Sequence, residues 1–228
     1  MSSSKSHSRR PWWSSLGIYA GLSLAAFIMV IPLLFSFVTA FKSPQDFASH
    51  SPFALPSPPS LASFQAILTG RVNFGDAIVT TLLMVVVMVV GQLVSSVLAA
   101  YAFARIEFPG REVIFWLFLG TMMIPASVLV IPLYLMMAKM GLNNTFWGIV
   151  LPFVFASPYA VFLLRQSFRQ IPQEIIDAAT MDGAGQMRIL FSIVVPVSKP
   201  IISTLVLITV VSQWNSFMWP RIIAATRP

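Results

Sequence analysis

The sequence predicts an all-α integral membrane protein, and three observations carry that prediction. Of 228 residues, 57% are hydrophobic and 9% charged, where a soluble domain carries roughly 25% charged residues. Five stretches reach about the 20 apolar residues that a helix needs to cross a bilayer core. None of the five contains Asp, Glu, Lys or Arg. A chain with 14 basic and 7 acidic side chains cannot build an ordinary soluble surface, and its hydrophobicity excludes disorder.

The first stretch covers residues 16–41 and follows a basic tail, residues 1–15, with Lys5, Arg9 and Arg10. Its apolar run is longer than the roughly 7–15 residues of a signal peptide, so it reads as an uncleaved span. The second stretch covers 77–104 and the third 113–138; both are long enough to span with tilt. The fourth covers 146–164 and the fifth 200–220. Residues 16–228 thus form one transmembrane domain.

Counting basic residues in alternate connections gives the orientation. With the N-terminus inside, Lys5, Arg9, Arg10, Arg105, Arg111, Arg165, Arg169, Arg188 and Lys199 lie inside. Lys42, Arg71, Lys139, Arg221 and Arg227 lie outside. The bias places the N-terminus in the cytoplasm. Residues 42–76 are then an outer loop whose Pro-rich run, 51–59, reads as an extended connection.

The same count argues against nucleic acid as a partner: the net charge of +7 is scattered between apolar stretches, not massed on a patch. There is no cysteine, and His7 and His50 lie far apart, so no metal site is expected. The spans lack the ionisable residue that proton-coupled transporters carry at membrane depth. Any energy for work should therefore enter through a loop. Pro32, Pro125, Pro132, Pro152 and Pro158 fall inside spans and tend to kink them. Ordinary kinked packing and broken helices lining a pathway both fit. Gly91, Ser95, Ser96, Ala99 and Ala100 allow close helix approach.

The inner loop, residues 165–199, carries the most information. Pro172 suits the first position of a helix, Glu174 its first turn, and Gly183 its end. Ile175, Ala178 and Ala179 share one face, with Glu174 and Asp177 beside it. A second helical piece follows with Met187, Ile189, Leu190 and Ile193 apolar, and Pro196 marks re-entry to the membrane. A lipid-anchored interfacial helix usually displays Lys and Arg, whereas this one displays Glu174, Asp177 and Asp182. Acidic residues repel an anionic leaflet, so a protein partner with a groove for the helix is the better reading.

The segment Asp177-Ala178-Ala179, three residues, Gly183, nine residues, then Ile193-x-Val195-Pro196 resembles the EAA loop of ABC importer permeases. That pattern is Glu-Ala-Ala, three residues, Gly, nine residues, Ile-x-Leu-Pro; Asp177 stands for Glu and Val195 for Leu. Further pieces are similar to MalG-like permeases of carbohydrate importers. They include Thr39-Ala40-Phe41-Lys42-Ser43-Pro44, Ala100-Tyr101-Ala102-Phe103-Ala104-Arg105 and Phe108-Pro109-Gly110-Arg111. Gly141-Leu142-Asn143-Asn144-Thr145 and Trp214-Asn215-Ser216-Phe217-Met218-Trp219-Pro220 complete the set.

The resemblance implies a MetI-like helical bundle in the plasma (inner) membrane of a bacterium or archaeon. It implies a non-enzymatic subunit that forms half of a translocation path for a sugar or oligosaccharide. The implied partners are a second, MalF-like permease subunit, two cytoplasmic ATPase subunits and an extracytoplasmic solute-binding protein. ATP and Mg would be bound by the ATPases, because this chain has no Walker-type loop: Gly183-Ala184-Gly185 has no preceding strand and no following Lys-Ser/Thr. Glu174, Asp177, Ala178, Ala179, Asp182 and Gly183 would couple to the ATPase.

Family members have six spans against five here, so a further span is expected beyond residue 228; a chain truly ending there would suggest a non-transporting scaffold. A permease for glycerol-phosphate or another solute is the alternative within the family. Gln92 and Ser95 in the second span and Gln213, Trp214 and Asn215 in the fifth are candidates for the substrate path. Interhelical hydrogen bonding or a place in an interface belt is the alternative reading of each, and the simpler one.

Overall fold

The computed structural model describes residues 12–51, 53–69 and 74–224, and every regular element among them is helical. Residues 1–11 of the expected tail, with Lys5, His7, Arg9 and Arg10, lie outside the described residues, as do Pro52, Arg71 and Arg227. The chain divides into two compact units, residues 1–75 and 76–228.

In the first unit, α1 (Trp12–Ala40) starts inside the expected tail and carries Pro32 within it. Its apolar side chains from Leu16 to Leu34 stay exposed. Two short helices follow that the sequence did not signal. In α2 (Pro44–Ser49), the Ser43 hydroxyl accepts the Asp46 N–H at 3.1 Å and Pro44 opens the first turn. The last helix wholly within the unit is α3 (Ala62–Thr69). Residues 53–61 between them hold no helix, as the Pro-rich run predicts. Lys42 is buried there and donates to the Ser51 carbonyl at 2.9 Å; Asp46, also buried, lies 2.9 Å from His50.

The second unit is built on α4 (Phe74–Arg105), 32 residues without a proline. The expected third span is not one helix. It is α5 (Arg111–Gly120), a 3-10 turn (Thr121–Met123) and α6 (Ala126–Lys139), bent by 100° at the break. Pro125 causes this: the residue before a proline is driven out of the helical region, and Ile124 is extended at φ −85°, ψ 118°.

The fourth stretch is also interrupted. It consists of α7 (Phe146–Val150), a 3-10 turn (Leu151–Phe153) and α8 (Pro158–Arg169), with residues 154–157 outside regular helix. Arg165, expected to open the inner loop, instead lies inside α8.

The loop folds as α9 (Gln173–Met181), α10 (Gln186–Ile189), a π-turn (Leu190–Val194) and α11 (Val195–Val197). It turns by 79° into α12 (Lys199–Trp214). The change of direction falls at Ser198 rather than at Pro196, which sits within α11. The fifth span, expected to reach Pro220, leaves the helix after Trp214; α13 (Met218–Ile223) follows. Among the described residues, the runs 16–40, 74–105 and 146–169 are long and apolar enough to cross a membrane, and five runs qualify when each bent pair counts as one.

Two apolar cores are separated along α4. One gathers Ala100, Tyr101, Phe115, Leu164, Phe168, Ile189 and Leu190. The other gathers Met88, Met137, Val150, Trp219 and Ile223. In the second core the Trp219 indole N–H lies 3.3 Å from the carbonyls of both Gly148 and Ile149. Thr145 caps α7 there, its hydroxyl accepting the Gly148 N–H at 3.0 Å.

Candidate functional site

The helix predicted around Asp177 is present as α9, but it buries a different face. Ile176 is buried, at 6% exposure, and Ala179 is half-buried against the first core. Ile175 is 45% exposed and Ala178 is exposed, so the expected face of Ile175, Ala178 and Ala179 is corrected. Two isoleucines stand side by side, and the neighbours of Ile176, not the helical period, decide which one goes in. The outward surface carries Glu174, Ile175, Asp177, Ala178, Met181 and Asp182.

Both ends of α9 are firmly made. Pro172 stands one position earlier than expected, at the N-cap. At the other end Gly183 has φ +78°. Its N–H donates to the Thr180 carbonyl and the Ala184 N–H to the Ala179 carbonyl, each at 3.0 Å. This double closure is the Schellman turn, which favours glycine at the left-handed position.

The end of α4 holds the helix from both sides. The Tyr101 hydroxyl donates to Gln186 Oε1 at 2.6 Å. Arg105 Nη1 donates to Gln173 Oε1 at 2.6 Å, while Nη2 donates to the carbonyls of Phe168 and Ile171. Gln173 Nε2 in turn donates to Asp177 Oδ1 at 2.9 Å. A cation at the carbonyl end of α8 is favoured by the helix dipole. Nearby, buried Arg165 donates from Nε to the Phe103 carbonyl at 3.0 Å, pairs with Glu112, and lies 3.8 Å over the Phe115 ring. These polar contacts were not legible in the sequence, although Tyr101 and Arg105 lie in a motif it singled out.

Further along α4 a cavity of about 360 Å³ opens beside the break at 154–157. Gln92 and Gln213 both line it, with Ser157, Tyr159, Thr209 and Ser212, and with Phe153 and Phe155 as aromatic neighbours. Two of the five expected path residues are therefore brought together. The other three are not among its lining. Ser95 returns its hydroxyl to the Gly91 and Gln92 carbonyls of its own helix. Trp214 is 49% exposed. Asn215 donates to the Val211 carbonyl at 2.7 Å. The break itself rests on α4. A Cβ on Gly91 would stand 2.3 Å from Val154 Cγ2 and 2.7 Å from its carbonyl oxygen. The buried Ser96 hydroxyl accepts the Ser157 N–H at 3.2 Å. The prolines at 152 and 158 signalled the interruption in the sequence, and regular helix is lost between them, at residues 154–157.

Residues 92–227 match the family described as the binding-protein-dependent transport system inner membrane component. The diacetylchitobiose uptake system permease protein NgcG of Streptomyces coelicolor is 31% identical over 203 residues, 89% of this chain and 67% of that protein. The sn-glycerol-3-phosphate transport system permease protein UgpE of Yersinia pestis is 32% identical over 209 residues, 90% of this chain and 74% of that one. The arabinooligosaccharides transport system permease protein AraQ of Halalkalibacterium halodurans is 32% identical over 205 residues, 89% and 73% respectively. The long apolar helices, the helix closed by Gly183 and the match over more than half of its length agree: the chain is a multi-pass membrane protein of the binding-protein-dependent transport system inner membrane component family, the permeases of ABC importers.

Proposed function

We propose that the chain is one permease half of an ATP-driven importer for a sugar or oligosaccharide. It joins a second permease subunit, two ATPase subunits that bind ATP and Mg, and an extracytoplasmic solute-binding protein. Its N-terminus and α9 face the cytoplasm. The observation that carries the reading is the outward surface of α9. The helix anchors itself through Ile176 and leaves an acidic and apolar strip, from Glu174 to Asp182, for a groove in an ATPase.

The cavity at Gln92 and Gln213 belongs to the solute path. Its lining offers amides, hydroxyls and aromatic rings, the groups that hold a neutral polyol, and among the described residues it includes no Lys or Arg. A phosphate is normally met by a cation, so the lining favours a sugar over glycerol-phosphate.

A cysteine at Ser57 should react with an impermeant thiol reagent in intact cells, and one at Gln173 should not. The reverse pattern would overturn the orientation. In the assembled complex, Gly183→Val and Asp177→Lys should weaken ATPase association or uncouple hydrolysis from uptake, while the spans still insert. A left-handed valine costs about 1–2 kcal/mol before any loss of docking. Normal association and coupled uptake in both variants would defeat the docking role of α9.

A further inference from the structure

We infer that Tyr101 and Arg105 are positioning residues that transmit displacement of α9 to the cavity wall at Gln92. The inference rests on α9 being the helix that docks an ATPase. Tyr101 holds Gln186, the first residue of α10, and Arg105 holds Gln173, the first residue of α9. The two contacts bracket the helix and its closing turn. Both come from α4, and α4 also supplies Gln92 to the cavity.

The other routes from α9 to the cavity are interrupted. The chain before α9 is outside regular helix at residues 170–172, between α9 and α8, and α8 then reaches the cavity at Pro158, Tyr159 and Ala160. The chain after it passes a π-turn and a 79° bend before reaching α12. A segment outside regular helix absorbs motion by turning its own dihedrals. By contrast α4 has no proline and no break over 32 residues. From Gln92 to Arg105 it is a rod about 20 Å long at 1.5 Å per residue. Gly91 and Ser96 bear directly on Val154 and Ser157, so a shift of α4 also moves the broken wall opposite. Asp177 enters the same chain of bonds through Gln173 and Arg105, which ties the acidic surface of α9 to the rod.

The chain has no cysteine, so a single introduced thiol is a clean reporter in this subunit. The test uses the complete complex in proteoliposomes, with Thr209→Cys in the cavity of this chain and N-ethylmaleimide as the probe. ATP with vanadate traps the ATPases closed, and the alkylation rate is read before and after trapping. In the parent the rate should change at least fivefold on trapping.

The first variant is Tyr101→Phe with Gln186→Leu, which exchanges both polar partners for apolar ones and leaves no buried group unpaired. The second is Arg105→Lys, which keeps the charge but loses the fork. Each should cut the change to below twofold, while ATP hydrolysis continues and a cysteine at Ile175 still cross-links to the ATPase. A full fivefold change retained in both variants overturns the inference. So does a loss of cross-linking in step with the loss of response, because the residues would then only hold α9 in place. A parent in which Ile175→Cys never cross-links to the ATPase refutes the docking of α9 itself, a separate failure.

Discussion

The helix α4 and the stretch 146–169 both contribute to one cavity, and both read as apolar spans, yet one is a continuous rod and the other is broken at residues 154–157. Hydropathy does not separate them. Proline does: α4 has none, while Pro152 and Pro158 flank the break in its neighbour. A broken backbone needs partners for the groups it frees, and α4 supplies one through Ser96. The continuous helix therefore scaffolds the interrupted one, and the cavity sits where the two characters meet.

The strongest way to erase the contrast is to break α4. Val94 is 51% exposed, so Val94→Pro removes little packing, but it deletes a helix hydrogen bond and should cost about 3 kcal/mol or more. The melting temperature of the purified complex should fall, and solute-dependent ATPase activity should become independent of transport. Next in size is Gly91→Val. Its side chain would strike Val154, and overpacking of this kind costs about 1–3 kcal/mol. Thermal unfolding should show the loss, while Gly21→Ala, with nothing within 4 Å, should not. Ser96→Ala should cost about 1 kcal/mol by removing the partner of the Ser157 N–H. Thiol accessibility at Thr209→Cys should rise with it as the wall loosens. The smallest effect belongs to Ser95→Ala, one residue away. Its hydroxyl serves only its own helix, so stability and uptake should both stay within experimental error.

That pair of serines shows where the sequence was legible and where it was not. Apolar runs located the candidate spans among the described residues, because the cost of burying charge in lipid is written in composition. Pro172 and Gly183 located α9, because capping is a local matter. The inward face of α9 depended on whether Ile175 or Ile176 met a partner, which is decided by residues distant in sequence. For the same reason Gln92 and Gln213 could be proposed for the path, whereas Ser95, Trp214 and Asn215 could not be set apart from them. Side chains one helical step apart look alike until the opposing wall is known. The 100° bend at Pro125 was foreshadowed by the proline, but its size was not, since neighbouring helices set how far a freed backbone turns.

The 16-residue helix α12 bears on the lipid as well as on the protein. At 1.5 Å per residue it is about 24 Å long, some 6 Å less than a hydrocarbon layer of about 30 Å. If it crosses on its own, such a helix is accommodated by thinning of the bilayer, by snorkelling flanking residues or by association, at a cost of fractions of a kcal/mol for each ångström of mismatch. Phospholipids with shorter acyl chains relieve that strain. The complex should therefore melt at a higher temperature in vesicles of short-chain than of long-chain phosphatidylcholine. Melting temperatures that do not depend on chain length would show that α13 already fills the missing thickness.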